Sequence, residues 1–470
     1  MKRSKKIYIL LGILAVACIA TFSVNKIEEH KEKIKNSDEI ILEIPSDSVQ
    51  SLSWEYKSKT LAFHKDEKWI YDEDETFPVD EEKIEELLEQ FEKFGVSFII
   101  EDVEDYGQYG LDDPICTINL STVDQSYKIL LGNYSNMDSQ RYVSIGDGNV
   151  YLVKNDPLDY FDATLSDIID HDDIPTLDKV TKIQFTGAEN YSIVYEEGNS
   201  NAYSDDDVYF AQKNGKDLPL DKDRVDSYLR NIRYLDLTNY VTYNVTNEEL
   251  KTYGLDEPEL TVTVNYTSKD EKGKENSDTF VLNVSRDPKE RKNAEKATKK
   301  ESDSTKEENI TAYVRVGESQ IIYKITSDDY KKLTEASYDS FRHLEVLPVD
   351  FADIDKIDIS LEGIDYTITS DKKINKRTYY YQEEKIEITD LRSAIEDLKA
   401  DSFTDEKPTQ KKEISMKVYL DNKNYPEIQV ELYRYDGTHC IAVVDGKPVS
   451  LIKRSKVVDL IEAVHAIVLN

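Results

Sequence analysis

The chain has 470 residues, enough for two to four domains, and carries 60 Lys and Arg against 95 Asp and Glu, a formal charge of −35. A field of that sign repels phosphate backbones, which argues against nucleic acid as a partner. Hydrophobic residues still reach 39% and Tyr alone numbers 32, too much apolar and aromatic material for a disordered chain, so the bulk reads as globular.

Lys2, Arg3, Lys5 and Lys6 precede Ile7 to Val24, a stretch without a charged side chain. As a helix rising about 1.5 Å per residue it spans roughly 27 Å, close to the hydrocarbon thickness of a bilayer. We expect a short cytoplasmic tail at 1–6, a single-pass transmembrane anchor at 7–24 and a charged juxtamembrane segment at 25–44. Lys26, Lys31, Lys33 and Lys35 balance the cations ahead of the span, so charge does not orient it. With no second apolar span, a short basic tail is expected to stay inside and the long acidic region to be exported. A second reading of the same stretch is cleavage or lipidation at Cys18, after Ala15-Val16-Ala17. Against it, Ile19-Ala20-Thr21-Phe22 stay apolar where a mature chain turns polar.

From Pro45 onward a start signal occurs three times: Val49, Leu52 and Trp54; Val180, Ile183 and Phe185; Ile354, Ile357 and Ile359. The spacing predicts a first strand. Short strands rich in β-branched and aromatic residues follow at 61–63 and 69–71, at 191–195 and 208–210, and at 366–368 and 379–381. Each group leads to an apolar stripe at offsets 0, 3, 4 and 7: Ile84, Leu87, Leu88, Phe91; Val225, Tyr228, Leu229, Ile232; Leu391, Ala394, Ile395, Leu398. That is a helix lying on a sheet, and Asp80 and Asp221 stand where they would cap it.

Then comes the most distinctive string, Tyr109-Gly110-Leu111-Asp112-Asp113-Pro114, which returns as Tyr253-Gly254-Leu255-Asp256-Glu257-Pro258. An aromatic ring, a Gly and a carboxylate could form a ligand loop. The structural reading is that Gly110 and Gly254 turn the chain with φ > 0, Leu111 and Leu255 plug the core, Asp112 and Asp256 bond nearby amides, and Pro114 and Pro258 set the entry to the next strand. In the third copy, Asp401 to Pro408 keep only the Pro. Alternating strands follow, with Cys116 at the position of Leu260, and Cys440 inside a strand near 440; both read as buried hydrophobes, with a disulfide as the alternative. A short helix such as 156–161 closes the unit.

The fold expected is therefore α+β: three tandem, mostly antiparallel sheet units with packed helices at 45–170, 175–345 and 348–470, after one amino-terminal transmembrane helix. The polar stretch 286–309 is expected to be a disordered insertion in the second. Chemistry is harder to find. The six His show no His-x-x-x-His or Glu-flanked metal spacing; Asp170-His171-Asp172-Asp173 is an acidic joint; and no Gly-x-Ser-x-Gly elbow occurs. No catalytic, cofactor-binding or metal residue is assigned and no cofactor is expected.

The Trp69 strand, Pro78-Val79-Asp80, Tyr-Gly-Leu-Asp-x-Pro, Leu131-Gly132 and Tyr142-Val143, in that order behind one amino-terminal span, resemble the bacterial domain-of-unknown-function family numbered forty-three-forty. In the second unit Asn283-Val284 is read as the counterpart of Leu131-Gly132. The resemblance implies a membrane-anchored protein of the bacterial envelope, encoded beside ABC transporter components of the gliding-motility type, with no catalytic residues to carry over. The expectation is a non-catalytic extracytoplasmic scaffold or binding protein, accessory to an ABC transporter complex through its permease or related envelope proteins. The alternatives are a cell-wall or envelope ligand-binding protein and, behind it, an envelope hydrolase; any small-molecule ligand is unknown.

Overall fold

Alternating burial along each opening strand decides which residues face the core, and it recurs three times. In the computed structural model, which describes residues 33–213, 215–269, 272–297, 309–373 and 376–469, the first sheet contains β1 (Lys33–Asn36), β2 (Ile40–Leu42), β3 (Val49–Tyr56), β4 (Lys59–Lys65), β5 (Trp69–Tyr71), β6 (Phe94–Glu101), β7 (Cys116–Thr122), β8 (Ser126–Ser135), β9 (Gln140–Ser144) and β10 (Val150–Val153). Helix α1 (Glu81–Glu89) separates β5 from β6, and α2 (Leu158–Phe161) follows β10. The strand order is β1-β6-β10-β9-β8-β7-β3-β4-β5, with β2 also on β6.

The second sheet contains β11 (Lys179–Gly187), β12 (Tyr191–Tyr195), β13 (Tyr209–Lys213), β14 (Lys216–Pro219), β15 (Tyr240–Thr242), β16 (Leu260–Lys269), β17 (Glu275–Arg286), β18 (Ala312–Val316) and β19 (Ile322–Ile325). Its helices are α3 (Lys222–Arg233), α4 (Asn247–Tyr253), α5 (Pro288–Ala297), α6 (Ser327–Thr334) and α7 (Tyr338–Phe341). The third contains β20 (Ile354–Leu361), β21 (Ile364–Lys373), β22 (Lys376–Tyr381), β23 (Glu384–Lys385), β24 (Ala400–Phe403), β25 (Lys412–Leu420), β26 (Glu427–Arg434), β27 (His439–Val444) and β28 (Lys447–Lys453), with α8 (Thr389–Glu396) and α9 (Arg454–Val468). Their orders, β14-β13-β12-β11-β16-β17-β18-β19-β15 and β23-β22-β21-β20-β25-β26-β27-β28-β24, repeat the path of the first. In each, the opening strand pairs with the second strand after the main helix, as in Trp54 opposite Ile118, Phe185 opposite Val262 and Ile359 opposite Met416. The described pairs are antiparallel, so the protein is α+β with three mostly antiparallel sheets.

The helix stripes are buried as their spacing requires: Ile84, Phe91, Val225, Ile232, Leu391 and Leu398 are each 0% exposed. Asp80 accepts from Lys83 N at 3.1 Å and Asp221 from Arg224 N at 3.2 Å, which satisfies orphan donors of α1 and α3. The segment after each closing helix returns to the same cap, through Asp80 N to Ile168 O at 2.8 Å and Asp221 N to Phe341 O at 3.0 Å. The chain divides between His171 and Asp172 into two compact units. The first sheet belongs to one unit; the second and third share the other.

Three expectations are revised. Part of the segment read as juxtamembrane enters the first sheet as β1 and β2: Lys33 to Asn36 pair with Glu101 to Phe98, and Ile40 with Gly95. The insertion read as disordered begins with a helix, since Asp287 caps it, accepting from Lys289 N at 2.8 Å and Glu290 N at 3.2 Å, and Pro288 takes the first turn. Residues 298–308 of that stretch, like the membrane span at 7–24 and Cys18, lie outside the described residues; among those described, no helix is long and apolar enough to cross a membrane. Finally, Cys116 pairs with Leu131 and Leu260 with Val284, so Leu131-Gly132 corresponds to Val284-Ser285 and not to Asn283-Val284. A slip of one residue exchanges the faces of a strand, which pattern alone did not resolve.

Candidate functional site at the joint of the second and third sheets

The repeated hexapeptide forms the same joint in both units. A short 3-10 turn, Gly107–Tyr109, ends at Gly110 with φ 69°, and α4 ends at Gly254 with φ 72°. Leu111 and Leu255 are 4% and 5% exposed, while Asp112, Asp256 and the flanking acids face solvent. Tyr109 packs on Tyr142 and Tyr253 on Tyr313, each with ring centroids 4.8 Å apart. Pro114 and Pro258 are half-buried at the entry to β7 and β16. Around Leu111 gather Ile100, Val150 and Leu152; around Leu255, Val245 and Ile322, so each loop closes a small satellite core. Cys116 and Cys440 are buried and free, and burial pushes their thiols up to about 12 and about 11.

Polar convergence lies elsewhere, where the chain leaves the second sheet for the third. Leu344 to Val346 run beside the end of α8: Val346 N bonds Leu398 O at 2.9 Å and Ala400 N bonds Leu344 O at 2.7 Å, leaving Glu345 paired with Lys399. The start of this connector is held to the cap of α3 by the Asp221 to Phe341 bond. His343 and Glu345 are therefore brought to Asp221, and one ligand atom from each lies within 4.8 Å of the others.

The loop between β12 and β13 supplies the other wall. Asp207, 2% exposed at its side chain, accepts from Tyr203 N at 2.6 Å and places Oδ1 3.0 Å from His343 Nε2. The loop docks on the turn between β25 and β26: Asn422 Nδ2 donates to Tyr203 O at 2.9 Å, Asn424 Nδ2 to Asn199 O at 3.2 Å, Tyr425 OH to Asn201 O at 3.2 Å. The Tyr203 and Tyr425 rings lie 4.7 Å apart. Arg342 stacks 3.9 Å from the Phe403 centroid, and together with Tyr203, Tyr338, His343 and Glu345 these residues border a cavity of about 120 Å³.

Three carboxylates, Asp207, Asp221 and Glu345, meet one ammonium here, Lys399, whose Nζ is 3.0 Å from Glu345 Oε1. Burial alone would raise the Glu345 carboxyl, but the hydrogen bond and charge of Lys399, with His343 adding to them, hold it below its ordinary value. The bond from Glu345 correspondingly raises Lys399. The sequence reading took Asp221 as a helix cap and assigned none of these residues to a site. A signal was present in His343-Leu344-Glu345, because residues two apart in extended chain share a side; nothing in the sequence links them to Asp221 or Asp207. The acidic joint that was singled out has a local role: Asp172 Oδ2 accepts from the Tyr323 hydroxyl at 3.0 Å, and the Asp172 N–H donates to the Tyr323 hydroxyl oxygen at 2.8 Å.

Two stretches of one repeated architecture with a recurrent helix-cap loop define a tandem-repeat protein, and comparison with known families agrees. The family described as Domain of unknown function (DUF4340) matches residues 69–207 and 212–417. The chain belongs to that family. Each match starts at a strand ahead of the main helix of one sheet and ends among the strands of the next, so the family's unit is offset from the sheet unit. No curated protein and no solved structure matches the chain.

Proposed function

We propose that the protein is a non-catalytic scaffold of the bacterial envelope, anchored by its amino-terminal span with the bulk extracytoplasmic, and accessory to an ABC transporter complex. The observation that carries the scaffold reading is the investment of the most distinctive residues in joints. Leu111 and Leu255 plug satellite cores, Gly110 and Gly254 end helical turns, and the loop 199–207 spends its backbone carbonyls on Asn422, Asn424 and Tyr425. Side chains used this way hold sheets in fixed positions and leave the solvent faces of the strands to meet partners. The apolar span and its basic tail support the anchor, and the family resemblance supports the transporter. In-cell crosslinking followed by membrane pull-down should recover permease subunits; their absence across several crosslinkers of different reach would sink the transporter role.

A second reading, binding of cell-wall polymer, draws support from a cleft of about 460 Å³ in the first unit. Tyr56, Lys57, Tyr71, Glu73 and Thr164 line it, an aromatic and hydroxyl-bearing surface with both signs of charge. Cosedimentation of the protein with purified wall tests it, and a Tyr56→Ala variant that sediments as well as the parent counts against this cleft.

A further inference from the structure

We propose that Asp221, His343 and Glu345 form a binding site for a divalent transition-metal ion of the zinc type, one that ties the connector to the start of α3. The donor set is the first argument. One imidazole nitrogen and two carboxylate oxygens are ligands that Zn²⁺ accepts, and three protein ligands leave a position open for water. Geometry is the second. The three atoms lie within 4.8 Å of one another. Bond lengths of about 2.0–2.2 Å place tetrahedral ligands roughly 3.4 Å apart, so the widest gap closes by about 1.4 Å.

The surroundings are the third argument. His343 Nε2 is buried, with Asp207 Oδ1 3.0 Å away. Asp207 is itself 2% exposed and held by backbone amides, so it is placed as the carboxylate that orients the imidazole through Nε2 and leaves Nδ1 to ligate. Charge points the same way, because three carboxylates face the single ammonium of Lys399. That side chain is 52% exposed and holds Glu345 Oε1 at 3.0 Å, so it competes with a metal ion for that carboxylate.

The test uses the full chain in detergent micelles, stripped with a chelator and titrated with Co²⁺ as a spectroscopic probe, then with Zn²⁺ as competitor. One equivalent of Co²⁺ should give a visible absorption band that Zn²⁺ abolishes, and Zn²⁺ should raise the melting temperature of the Asp172–Asn470 unit alone. His343→Ala and Glu345→Gln should lose the band, and Asp207→Asn should weaken binding about 10- to 100-fold. Lys399→Met should tighten it by removing the competing cation, a gain that also reports on the site if His343→Ala fails to fold. The proposal is overturned if the parent chain binds neither ion saturably. It is equally overturned if binding is unchanged in Glu345→Gln and Lys399→Met, which would mark scattered surface carboxylates as the ligands.

Discussion

Replacing Gly132 by Ala tests the central packing claim for the first unit. A Cβ built there stands 2.3 Å from the carbonyl oxygen of Tyr109 and 3.0 Å from Leu111 Cγ. Carbon and oxygen sit comfortably at about 3.3 Å, so strand and loop must part by roughly 1 Å. Neither side yields readily. The Gly132 carbonyl accepts from buried Arg141 Nη1 at 2.8 Å, and Arg141 Nε is held by Asp156 at 2.7 Å, while the Tyr109 peptide closes the turn capped by Gly110. Overpacking against backbone costs about 1–3 kcal/mol, and the entropy that Ala removes from the unfolded chain returns about 0.4–1 kcal/mol. The net expectation is a loss of about 1.3 kcal/mol. For a unit of this size roughly 4 °C accompanies each kcal/mol, so the transition should fall by about 5 °C. Differential scanning calorimetry should show that drop in the Met1–His171 unit and no change in the other. Ser285, which occupies the matching strand position in the second sheet, already carries a Cβ, so Ser285→Gly should cost only about 0.5–1 kcal/mol there. A Gly132→Ala protein that melts with the parent would refute the close approach of loop and strand.

Further outcomes follow from the same geometry. Asp80→Ala should destabilise the first unit by about 1 kcal/mol through loss of the α1 cap, with Asp80→Asn nearly neutral, as chemical denaturation would measure. Cys116 and Cys440, with thiols pushed up to about 12 and about 11, should resist iodoacetamide at pH 8 and react once denaturant is added; rapid native labelling would contradict their burial. Because the folded Glu345 carboxyl titrates below its unfolded value, its contribution to stability is present above that unfolded value and is lost as pH falls through the lower, folded one. Glu345→Gln should therefore flatten the acid limb of the stability profile of the Asp172–Asn470 unit, and an unchanged limb would show that the ion pair is inert. Tyr425→Phe, which removes the bond to Asn201 O, should cost that unit about 1 kcal/mol in urea unfolding.

How far the fold could be read ahead varies with the signal. The stripe from Val225 to Ile232 is legible because a helix returns a side chain to one face every third or fourth residue, whatever lies beneath it. Trp54 and Phe185 are legible as inward positions because a strand alternates. Lys33 to Asn36 carry no such pattern, being an edge strand whose partner, β6, lies far along the chain. Helix α5 was hidden by charge, although Asp287-Pro288 followed by Glu290 is a start signal that composition overrode. At the joint, His343-Leu344-Glu345 looked like ordinary connector, since its meaning depends on Asp221 and Asp207, each more than a hundred positions away.

From the amino-acid string it follows that one unit is used three times, that its helices lie on sheets, and that Tyr-Gly-Leu-Asp-x-Pro ends a turn. These follow from local period and turn chemistry, which need no knowledge of distant residues. Tertiary structure alone decided the strand register at Leu131 and Val284, the union of the second and third sheets into one unit, and the meeting of Asp207, Asp221, His343, Glu345 and Lys399. Register depends on a partner strand and a side-chain cluster on where separate loops come to rest, and both are set by packing between segments that share no local pattern.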